Sequence, residues 1–123
     1  MYTKQLLKIT IAFFLFLCVA VNAYADFTVY GTVVKVTGTS ASVKIAPIKN
    51  STVQVFDRYN KLIGSGVSGA DGKFKVICRT SLPKDMNTGM TISPPSFSPK
   101  SWWGNHINTD PKAIDKAKYA FPY

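Results

Sequence analysis

The chain has 123 residues, room for one domain and not for two. It carries 15 Lys and Arg against six acidic residues, all of them Asp, for a formal charge of +9. One His and two Cys are too few for a closed zinc site, which wants four ligands of those types, so neither a metal nor a cofactor is expected.

Residues 1–25 have the pattern of a signal peptide: Lys4 and Lys8 near the start, an apolar run over 9–21, and Ala23-Tyr24-Ala25 with small residues where a signal peptidase reads. Cleavage is expected before Asp26. The apolar run is shorter than the roughly 20 residues of a spanning helix, so no transmembrane span is expected in the mature chain. Without Lys4 and Lys8, 13 of the 15 basic residues remain and the formal charge falls by two to +7. Such a field favours polyanions, although scattered Lys also keeps a small secreted protein soluble and blunts its sheet edges. No run of four basic residues is present, and no specific nucleic-acid partner is expected. The expected location is extracellular, or periplasmic if the source is a Gram-negative bacterium.

The β-branched and aromatic residues of 26–36 predict a strand, apolar on both faces. Residues 37–42 read as a loop and 42–48 as a second strand that stops at Pro47. Asn50-Ser51-Thr52 is an N-glycosylation acceptor triplet, with Asn50 expected to be exposed. In 52–56, Val53 and Val55 alternate with Thr52, Gln54 and Phe56 as in a strand. Residues 61–67 read as a weaker strand in which Gly64 and Gly66 let another backbone approach. The Asp71-Gly72 pair is the best turn signal in the chain. In 73–78, Phe74, Val76 and Cys78 share a buried face, and Lys73, Lys75 and Ile77 share the other.

Over residues 27–78, the order Val-x-Val-Phe-Asp, Leu-Ile-Gly-Ser-Gly, Val-Ser-x-x-Asp-Gly-Lys-Phe-x-Val resembles transthyretin-like and carboxypeptidase regulatory-like domains. The resemblance implies a small prealbumin-type β-sandwich. The opening and the Gly-x-Phe element are also similar to the secreted plant family typified by the olive pollen allergen, although that family carries several disulfide cysteines that this chain lacks. The transthyretin-like group includes hydroxyisourate hydrolases, which depend on several histidines, an arginine and a tyrosine-containing C-terminal tetrapeptide. With one His and the ending Ala120-Phe121-Pro122-Tyr123, this chain does not inherit that site.

Beyond Arg79, residues 89–93 read as a short strand, and Pro94, Pro95 and Pro99 impose an extended course. The sandwich is therefore expected over 26–93, with 94–123 as a proline- and tryptophan-containing appendage. Trp102 and Trp103 either form a platform for sugar rings or a partner, or fold back to close an end of the sandwich. Asp110-Pro111 is a helix-start signal and predicts a short helix over 111–119.

The expected fold is thus all-β, a small prealbumin or Ig-like sandwich of about seven strands with a short C-terminal helix. The expected function is that of a secreted, non-catalytic binding module for a cell-surface, cell-wall or matrix component, an acidic polysaccharide or a protein. Trp102, Trp103, Lys73 and Lys75 are its candidate contacts. The rival reading is an assembly protein that oligomerises through the 26–36 strand or through an intermolecular disulfide of Cys78. A small hydrolase ranks third, because His106 and Cys78 are widely separated and the aspartates are scattered.

Overall fold

The computed structural model describes residues 26–122; the expected leader lies outside the described residues. The chain forms eight strands: β1 (Phe27–Thr39), β2 (Ser42–Pro47), β3 (Thr52–Phe56), β4 (Leu62–Val67), β5 (Lys73–Cys78), β6 (Gly89–Ser93), β7 (Lys100–Trp103) and β8 (Lys118–Pro122). They make two four-stranded sheets packed as a sandwich, so the all-β expectation holds. One sheet has the order β4-β3-β6-β7; in the other, β1 pairs with β2, β5 and β8.

The length of β1 explains how it holds three partners. Thr32 lies opposite both Lys73 and Lys118, and Val34 lies opposite both Pro47 and Ala120. Strands β5 and β2 therefore share one edge of β1, and β8 runs parallel along the other. Over residues 32–36 both edges of β1 are thus occupied. The loop expected over 37–42 is a tight reversal at Ser40 and Ala41 between paired strands. Gly38, at φ 103°, takes a conformation that other residues rarely adopt.

The core is the interdigitated inner faces. Val29, Val33, Phe74, Val76, Cys78, Tyr119 and Phe121 come from the first sheet, and Val53, Val55, Met90 and Ile92 from the second. Each set follows the period-two alternation of its strand. Asp71-Gly72 closes the link between β4 and β5: the Asp71 carboxylate accepts from the Lys73 amide at 3.0 Å, and Gly72 sits at φ 78°. This reversal carries the chain from one sheet to the other. β4 then lies close over β5, where a Cβ on Gly64 would come within 2.8 Å of Val76 Cγ1 and 2.9 Å of the Ile77 carbonyl oxygen. Gly64→Val is therefore expected to cost about 1–3 kcal/mol or more through overpacking, read as a lower urea midpoint with an unchanged slope.

Two expectations about the C-terminal third are corrected. The sandwich does not end at Ser93: β7 pairs with β6 and β8 with β1, so the last thirty residues supply one edge strand to each sheet. Residues 111–119 do not form a helix. Asp110 does cap Lys112 as expected, its carboxylate accepting from that amide at 2.9 Å, but the helical turn stops after Pro111–Ala113. The free edge of β1 then recruits Lys118–Pro122 as a strand, which buries Tyr119 and Phe121 in alternation.

Candidate functional site

Three segments brought together by the topology build one flat surface, the outer face of the β4-β3-β6-β7 sheet. Because Val53, Val55, Met90 and Ile92 face the core, their neighbours in sequence face out. Register then aligns these outward residues in rows. Leu62 is opposite Phe56, Phe56 opposite Gly89, and Gly89 opposite Trp103. With strands about 4.8 Å apart, the row spans about 14 Å. Trp103 is 55% exposed and lays its indole across the bare backbone of Gly89, where a Cβ would meet the ring at 2.6 Å. The result is an apolar ribbon of Leu62, Phe56 and Trp103.

The adjacent row is polar. Ser65, Gln54, Thr91 and Ser101 lie side by side, and the Thr91 and Ser101 hydroxyls hydrogen-bond at 2.9 Å. Thr52, Ser93 and the exposed Val67 follow in the third row. None of these outward residues is charged, in a chain whose formal charge is +9. Beyond the apolar end, the Arg58 guanidinium is engaged by Asp85 at 3.3 Å and lies 5.7 Å from the centre of the Tyr59 ring. Tyr59 and Met86 are both exposed in the loops at that end.

The residues expected to bind together are dispersed. Consecutive residues of a strand point to opposite faces, so Trp102 and Trp103 cannot share a platform. Trp102 turns inward, with ring centres 5.0 Å from Tyr119 and 5.8 Å from Phe121. One indole thus closes the sandwich and the other meets solvent. Lys73 and Lys75 lie on the outer face of the opposite sheet, and Lys73 is paired with Asp115 at 2.9 Å; the carboxylate beside it raises the Lys73 pKa. Lys100 also faces away from the ribbon. Its ammonium donates to the Ala120 carbonyl at 3.1 Å and lies 5.6 Å from the centres of the Trp102 and Phe121 rings, bridging the two edge strands.

Cys78 is fully buried. Burial, with a smaller contribution from Asp26, pushes its thiol from 9.0 up to about 12. A thiol so enclosed cannot reach a second molecule, which corrects the expectation of an intermolecular disulfide. Asn50 is exposed in a turn at φ 60°, Ser51 is buried and Thr52 is exposed, so both recognition side chains of the acceptor triplet are presented.

His106 lines a concavity of about 440 Å³, a polar cleft with Trp102, Asn108, Asp110, Lys116 and Tyr119. The Tyr119 hydroxyl donates to the His106 carbonyl at 2.8 Å and accepts from the Asn108 amide at 3.0 Å, and burial raises its pKa. Cys78 does not line this cleft, and no three His, Cys, Asp or Glu side chains that could hold a metal come together among the described residues. The two Tyr119 hydrogen bonds tie the backbone at His106 and Asn108 to β8.

Sequence reasoning singled out Trp103 but missed Phe56, Leu62, Gln54, Thr91 and Ser101. Their outward parity was readable in each strand. Their alignment needed the non-sequential order β3-β6-β7, which no local signal specifies.

No family model and no curated protein matches the chain. Among solved structures it is similar to a 9R-lipoxygenase from Cyanothece PCC8801, at 14% identity and a TM-score of 0.33, over 77% of this chain and 16% of that one. The chain thus spans about a sixth of that enzyme's length, and at that TM-score nothing about its own chemistry follows.

Proposed function

We propose that the protein is an exported, non-catalytic recognition module of the transthyretin-like kind that holds a cell-surface, cell-wall or matrix glycan on the outer face of the β4-β3-β6-β7 sheet. The observation that carries this reading is the uncharged face itself, an aromatic and aliphatic ribbon beside a row of hydroxyl and amide groups. A sugar ring presents a C–H face and an equatorial rim of hydroxyls. Trp103 and Phe56 offer the first a stacking surface, and Gln54, Thr91, Ser65 and Ser101 offer the second donors and acceptors.

The geometry favours uncharged glycans over the acidic ones that net charge alone suggested. Lysines on the opposite face supply long-range attraction to an anionic surface while the neutral face makes contact. Trp103→Ala is expected to weaken binding to a neutral glycan at least about tenfold, equivalent to about 1.4 kcal/mol, with the fold intact because the indole is half exposed. A glycan array probed with the wild-type chain and this variant reads the effect. Equal binding by both would remove the ribbon from the account.

A further inference from the structure

We infer that the uncharged face takes one unbranched, 1,4-linked neutral glycan chain with equatorial linkages at both ends of each ring. The chain lies across the strands, with three rings seated on Leu62, Phe56 and Trp103; this placement rests on the glycan reading above and specifies its substrate. Register sets the direction. Leu62, Phe56, Gly89 and Trp103 are opposite one another on β4, β3, β6 and β7, so the apolar groups form one line across the strands. Ser65, Gln54, Thr91 and Ser101 form a second line, about 6.8 Å away because two residues of strand separate the two. A glycan running along the strands would stack one ring and leave the next over hydroxyls. A glycan running along the line stacks every ring and keeps a hydroxyl edge of each beside the polar row.

Length sets the number of rings. A sugar ring is about as long as the spacing between strands, about 4.8 Å, and the row offers three apolar side chains over its four strands. Gly89 keeps the line unbroken. A Cβ there would stand 2.6, 3.0 and 3.1 Å from three atoms of the indole, so the bare backbone lets Trp103 lie against β6 and close the gap to Phe56.

The shape of the row selects the linkage. The row is straight, and 1,4 linkages that are equatorial at both ends extend a chain straight, whereas an axial bond coils it. The row also turns about its own direction. Neighbouring strands are rotated by roughly 20–25°, so three spacings turn the face by roughly 60–75°. A lone glycan chain can twist to follow that turn, and a chain locked among its neighbours in a crystalline fibre cannot. The chain held on this face is therefore a free one.

Titration calorimetry of the mature chain with β-1,4-linked oligosaccharides of glucose, N-acetylglucosamine, mannose and xylose, from a single ring upward, tests this placement, with α-1,4-linked oligoglucose as the comparison. In at least one β-linked series affinity is expected to rise by about twofold to tenfold with each added ring, to level off at three, and to stay near the single-ring value throughout the α-linked series. Leu62 is exposed, so Leu62→Ala leaves the core intact, and it is expected to move the levelling point from three rings to two. Affinity that does not change with length, while Trp103→Ala still weakens it, would overturn the placement and leave the glycan reading standing. So would failure of every β-linked series when another neutral glycan is still held through Trp103. Loss of neutral-glycan binding altogether would overturn the reading itself.

Discussion

Phe121→Ala is expected to destabilise the protein by about 3–5 kcal/mol, the usual cost of emptying a buried aromatic site. The ring is 1% exposed, with centres 5.7 Å from Phe97 and 5.8 Å from Trp102, and it is the last large side chain of the core. Such a loss is a large share of the roughly 5–15 kcal/mol that separates folded from unfolded domains. At about 4–8 °C per kcal/mol for a chain of this size, thermal unfolding would fall by at least about 12 °C. An appendage would behave differently, since surface substitutions stay within about 0.5 kcal/mol, and the exposed Lys118→Ala on the same strand supplies that comparison. Thermal melts of the three chains decide whether β8 is a structural strand.

Alkaline pH is expected to have an effect of similar size. The Cys78 thiol titrates near 9.0 when unfolded and near 12 in the core, where burial disfavours the thiolate. Between those values the unfolded chain binds fewer protons than the native one, so stability is complete below about pH 9 and declines as pH rises towards 12. At about 1.4 kcal/mol per pH unit, the full decline is about 4 kcal/mol. The raised pKa values of Tyr119 and Lys73 act in the same direction. Urea midpoints at pH 8 and pH 11 measure the decline. Cys78→Ala is expected to be less stable at pH 8, from the cavity it leaves, yet to lose less on going to pH 11. An equal decline in both chains would place the alkaline sensitivity elsewhere.

The strands of residues 26–78 were legible because their information is local. Val53 and Val55, or Phe74, Val76 and Cys78, announce a buried face by alternation, and Asp71-Gly72 announces a reversal through its own side chain and φ. Gly64 and Gly66 signalled a close approach, although not that the neighbour would be β5 of the other sheet. The C-terminal third misled because its local signals are correct and insufficient. Asp110-Pro111 starts a helical turn, and only the vacant edge of β1 decides that the chain then straightens into β8. Pro94, Pro95 and Pro99 forbid strand where they stand, yet Lys100–Trp103 resumes it against β6. Even there the alternation of Tyr119 and Phe121 was present; the capping signal masked it. The site was less legible still. Trp103 drew notice as one of a pair, whereas period two separates the pair, and the surface around it depends on the long-range alignment of β3 with β6.

The most direct test of the recognition account is a binding isotherm of the mature chain with a soluble neutral polysaccharide identified by the array, at about 50 mM and about 500 mM salt, a range over which the Debye length shrinks from about 14 to about 4 Å. Contact through an uncharged face predicts affinity that changes little with salt and falls at least about tenfold in Trp103→Ala. Binding confined to polyanions, lost at the higher salt and indifferent to Trp103, would contradict it and leave the lysine-bearing sheet as the only surface that attracts a ligand.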